Sequence, residues 1–162
     1  MKRILATDNS YNWLILRVAL GLVILAHGVQ KAFGWFNGFG WEQSMNYFTG
    51  HVGLPSAMAA LVILIESLGA FLLIIGFAGR INAFLLGMVM IGAFFVEHRH
   101  HGFYMNWFGM QKGEGFEFDI LVWAMAIVLT INGSGKFSID RILVSGTLAQ
   151  GYDNQAVKYT GA

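Results

Sequence analysis

The chain has 162 residues, of which 56% are hydrophobic and only 12% charged, with a mean hydropathy of +0.59. That balance excludes an ordinary soluble domain and points to a single-domain membrane protein. A net charge of +1 without a basic run argues against a nucleic-acid partner, and the lack of cysteine excludes thiolate nucleophiles and Cys-held clusters within this polypeptide, though not redox chemistry on a bound cofactor or a partner.

The N-terminus, MKRILATDNSYN, has a basic start but no apolar core ending in a small-residue cleavage site, so the first helix is expected to be retained. Four apolar segments follow, near Trp13–Phe33, Pro55–Ala78, Ile81–Glu97 and Phe116–Asn132, each judged long enough for a hydrocarbon core of about 30 Å. Strict alternation is missing, so helices rather than barrel strands are expected. The fold class is all-α: an integral membrane four-helix bundle over residues 1–144, with a polar cytoplasmic tail over 145–162.

Local signals refine these borders. Pro55 suits a first helical turn, and Gly79 is expected to separate the second and third helices in a tight antiparallel hairpin. Glycines 21, 28, 69, 76, 87 and 92 read as sites of close helix packing. Lys2, Arg3, Arg80, Lys136, Arg141 and Lys158 share one side, which places both termini in the cytoplasm. The two long connections, Gly34–Leu54 and His98–Gly115, then share the outer face and are rich in aromatics, as an interfacial belt or the roof of a pocket. GSGK at 133–136 resembles the end of a phosphate-binding loop, but the full pattern fails and no strand precedes it.

Taken together, RVALGLVILAHGVQK in the first helix, ESLGAFLLIIGFAGR in the second, and EGFEFDILVW with GSGKFSIDR around the fourth resemble the DoxX family of small four-helix bacterial membrane proteins over roughly residues 13–143. The resemblance implies a multi-pass protein of the bacterial inner membrane. It also implies a link to quinones or oxidative stress, since one relative is the membrane subunit of a thiosulfate:quinone oxidoreductase. Such likeness implies fold firmly and function loosely.

Ionisable residues within apolar helices are functional candidates by default. Helix rise places Arg17 about 6 Å in from the cytoplasmic end and Glu66 about 16 Å in from the outer end, close enough for a structural ion pair or for an Arg-tuned, proton-carrying carboxylate. A second group gathers at the outer face: His27 and Lys31 at i, i+4, Glu97 and His98 ending the third helix, and Glu114, Glu117 and Asp119 opening the fourth. A quinone head group there would take a donor from His27 or His98, a positive field from Lys31 and a proton relay through Glu117 or Glu66, with Trp107 and Glu114 in the wall. Asp119 and Glu117 also complement the dipole at a helix start. His98, His100 and His101 are weak metal candidates, so metal is not expected.

The expected function is therefore a membrane subunit of a redox system that binds a quinone near the outer helix ends and handles its protons. Electrons would come from a partner protein, because no flavin, haem or iron–sulfur motif is present. Two alternatives stand beside it: a small-solute transporter lined by Arg17 and Glu66, and a non-catalytic scaffold for a soluble redox partner.

Overall fold

A computed structural model describes residues 5–145, so nearly all of the expected tail lies outside the described residues. Among them every regular element is helical: α1 (Tyr11–Phe33), α2 (Gly40–Asn46) running into a π turn (Tyr47–His51), α3 (Ser56–Ile75), α4 (Gly79–Val96) and α5 (Glu117–Asn132), with short 3-10 turns at Trp35–Asn37 and His98–His101. Three of these, α1, α3 and α4, are long and apolar enough to cross a membrane. With 16 residues, one fewer than the expected Phe116–Asn132, α5 is about 24 Å long and falls short of a hydrocarbon core of about 30 Å.

Local chemistry sets the helix ends. Ser10 caps α1, its Oγ accepting from the Asn12 N–H at 3.1 Å, and Gly34 closes it in the left-handed conformation. The α3–α4 turn differs from expectation. Gly76 (φ 68°) ends α3, Ala78 (φ 49°) caps α4, and Gly79 is already the first residue of α4 rather than a separator. Gly76 is required there because a Cβ would strike Ser138.

The four long helices pack side by side, α1 against α3, α3 against α4, α4 along α5, and α5 back on α1. Leu20, Ile24, Leu73, Leu86, Val122 and Leu129 fill the centre. Between helices in lipid the hydrophobic drive is small, so van der Waals fit carries more of the stability. Gly21 on Ala70 and Ile74, Gly28 on the Glu66–Ser67 backbone, and Gly87 on Ala126 each permit such a close approach.

The α3 helix is not regular. Residues Ile65–Gly69 form a π turn, the kind of local bulge that recurs at functional sites. Ser67 Oγ donates back to the Ile63 carbonyl at 2.6 Å within it, and the Gly28 face of α1 sits against it. Glu66 lies within this turn, where the local period departs from the regular 3.6 residues.

Candidate functional site

Arg17 and Glu66, expected to pair, are kept apart. Arg17, 1% exposed, spends its guanidinium on backbone carbonyls: Nε on Ser134 at 2.8 Å, Nη1 on Leu73 (3.3 Å) and Ile74, and Nη2 on Lys136 (3.3 Å) and Phe137 (2.8 Å). Leu73 and Ile74 end α3, where unpaired carbonyls and the negative end of the helix dipole attract a cation. The planar fork of Arg suits this multi-carbonyl cage. The structural role expected for Arg17 thus has a different partner.

The GSGK stretch belongs to the same cage. Asp140 accepts from the Ala78 and Gly79 N–H groups at 2.7 and 2.9 Å, which caps α4, and from Ser134 Oγ at 2.6 Å. The Gly135 N–H donates to Thr7 Oγ1 and the Lys136 N–H to the Ser10 carbonyl. Arg80 does for α5 what Arg17 does for α3, donating to Thr130 (2.8 Å) and Ile131 as well as to Ala6. This end of the molecule is a clasp joining the helix ends.

Glu66 instead receives Lys31, whose Nζ donates to Oε2. Both border a half-open cavity of about 600 Å³ between α1, α2 with its π turn, α3 and α4. Tyr47, Glu97 and His98 add polar groups, and nearly all the remaining lining is apolar. An apolar cavity of this size with a few convergent polar groups is the usual form of a small-molecule site.

His98 pairs with a residue that the sequence puts in the same outer-face group and at a helix start, without placing the two in contact. Its Nδ1 lies 2.8 Å from both carboxylate oxygens of Asp119, which is 0% exposed. The pairing orients the imidazole at the cavity edge and leaves Nε2 without a hydrogen-bond partner among the described residues. The signal was available in FEFDILVW, where Asp119 falls on the inward face one turn into an apolar helix. Tyr47 carried no such signal. Burial, then the charge and hydrogen bond of Glu97, push its phenol above the ordinary range.

Other expected site residues stand elsewhere. His27 is exposed and tilts against Phe118 at 6.3 Å, and it does not border the cavity. Four residues turn a helix by about 400°, so Lys31 and His27 diverge by roughly 40°, enough to send one toward α3 and the other toward α5. Glu117 Oε1 accepts from the Met105 N–H at 3.0 Å and from Trp107 Nε1 at 2.8 Å, while Glu114 Oε2 accepts from the Asn106 N–H at 2.7 Å. These carboxylates and Trp107 latch the 102–116 connection and do not border the cavity.

The three outer histidines also separate. His98 faces Asp119, His101 Nε2 lies 3.0 Å from Glu97 Oε1, and His100 Nε2 accepts from Arg99 Nε. No group of three His, Cys, Asp or Glu able to hold a metal ion occurs among the described residues.

Comparison with known proteins places this arrangement in context. The DoxX family model matches residues 12–99, which include α1 to α4, Lys31, Glu66 and His98. A Bacillus subtilis (strain 168) protein named "Putative oxidoreductase CatD" is 32% identical over 133 residues, covering 82% of this chain and 87% of that one. No solved structure matches the chain significantly. From the extent of the family match and the near full-length likeness to this relative, the chain belongs to the DoxX family of membrane proteins.

Proposed function

We propose that the protein is the quinone-binding membrane subunit of a redox system in the bacterial inner membrane, taking electrons from a partner protein. It crosses the bilayer four times, with α5 as the short fourth crossing and both termini cytoplasmic. The concentration of Arg17, Arg80, Lys136 and Arg141 at one end of the helices supports that orientation.

One observation carries the reading: a single apolar cavity bordered at once by the Lys31–Glu66 pair and by His98, which Asp119 holds. The residues suit a quinone because Lys31 and His98 can donate to its carbonyls and the apolar lining can take its ring. A bound quinone supplies the two-electron, two-proton couple that this chain lacks. The protein's own part is proton handling. The Lys31–Glu66 pair can pass a proton between ammonium and carboxylate, and His98, whose Nδ1 donates to Asp119, can take a proton on Nε2 and give it back from the imidazolium. The oxidoreductase name of the relative supports the reaction class.

The test is purification in mild detergent, organic extraction and assay for quinone by absorbance and mass spectrometry. Near-stoichiometric quinone, lost in Glu66→Gln or His98→Ala protein that still folds, is the expected result. No co-purified quinone and no binding on titration would sink the reading in favour of the transporter or scaffold.

A further inference from the structure

We propose that the apolar tail of the quinone leaves the cavity through the cleft between α3 and α4, and that Gly92 is the residue that keeps this path open. The inference rests on the quinone reading above and deepens it: the ligand is a tailed, membrane-resident quinone rather than a small soluble one.

The cavity wall on α4 consists of Leu85, Met88, Val89, Gly92, Ala93 and Val96. Their spacing of three and one puts them on one helical stripe about 16 Å long. The facing wall comes from the 58–66 stretch of α3. The polar groups lie on the deep wall, where buried Glu66 meets α1, and in the roof formed by Tyr47, Glu97 and His98. The rest of the lining is apolar and reaches the outer surface of the bundle at Met58, Leu61 and Met88, each about half exposed. A ligand with a polar ring inside and an apolar chain passing outward to lipid matches that gradient.

The cleft has a structural cause. α4 packs on the π turn and the Ala70–Ile75 part of α3 but hardly touches Ser56–Leu64, so the two helices part beyond the bulge. Gly92 widens the gap. A glycine inside a helix is less favourable than alanine, and close packing is the usual compensation. Gly87 has that return against Ala126, whereas a Cβ on Gly92 would meet nothing within 4 Å. Its backbone does not need a left-handed angle either. Empty space is what the missing side chain provides.

The experiment measures equilibrium binding of decyl-ubiquinone and of its tail-less parent ring to purified protein, for the wild type and for Gly92→Ala, Gly92→Leu and Met88→Trp. Gly92→Ala adds one methyl to open space and should weaken the tailed quinone less than Gly92→Leu does, with the tail-less ring unaffected. Gly92→Leu should weaken the tailed quinone about tenfold or more while leaving the tail-less ring within about twofold. Met88→Trp, at the half-exposed rim, repeats the test should Gly92→Leu fail to fold. Equal loss of both ligands, or no loss of either, in the folded blocking variants would overturn the tail path while leaving the quinone site intact, and would assign the cleft to ordinary lipid. A wild type that binds neither quinone would overturn both, and so separates failure of the site from failure of the path.

Discussion

Lys31 reaches from the last turn of α1 to Glu66 in the π turn of α3, so the cation near the end of the first helix neutralises a carboxylate set deep in the second long one. Removing one partner of such a buried pair leaves the other uncompensated, at a cost of about 3–5 kcal/mol when burial is complete. Lys31 is partly exposed, so Lys31→Met should fall at or below the lower end. The double variant Lys31→Met with Glu66→Leu should recover much of that loss, with a coupling of about 1–3 kcal/mol in thermal unfolding. Quinone binding should stay lost in the double variant. Recovery of binding along with stability would mean that the pair is structural only.

The cage around Arg17 makes a separate prediction. Each hydrogen bond from a charged donor contributes about 1.5–3 kcal/mol, though five bonds from one group do not add. Arg17→Lys keeps the charge but loses the fork, and should lower stability by several kcal/mol with little change in quinone affinity per folded molecule. The readout is unfolding followed by tryptophan fluorescence, paired with binding. A selective loss of affinity in stable Arg17→Lys protein would return Arg17 to the ligand site.

The helices were legible in the sequence because unbroken apolar runs need no partner to be recognised: α1 was placed to within two residues and α5 to within one. Pairings were less so, since distance along a helix axis gives depth but not azimuth. Arg17 and Glu66 were close enough in depth to pair, yet Glu66, in the π turn, meets Lys31, and the carbonyls at 73, 74, 134, 136 and 137 claim Arg17. Backbone acceptors carry no signature in side-chain identity. His98 and Asp119 both stand out in the sequence as ionisable residues at helix ends, whereas their pairing is visible only in the three-dimensional contact.

Glu117 separates a latch from a proton relay. It receives the Met105 N–H and the Trp107 indole, so Glu117→Ala should free the outer connection and raise hydrogen exchange and proteolysis around 103–110. Glu117→Gln can still accept through its carbonyl oxygen and should largely preserve that protection. Quinone reduction with a reconstituted electron donor should survive in the Gln variant. Loss of turnover with an intact latch would restore Glu117 to the proton path.

Tyr47 gives the chain an alkaline limit. Burial and then Glu97 raise its folded-state pKa, whereas the unfolded chain keeps a phenol near about 10. Below that value both states hold the proton and this group contributes no slope. Above it the unfolded chain releases its proton first, so stability must fall as pH rises, until the folded-state pKa is passed. The side chain is 42% exposed, which keeps the effect small. Tyr47→Phe should flatten the decline above about pH 10 in detergent-solubilised protein, measured as the difference in unfolding temperature from the wild type. An unchanged slope would show that Glu97 does not face the phenol closely enough to matter. A slope of opposite sign would place the folded-state pKa below the unfolded one and reverse the assignment of burial as the dominant cause.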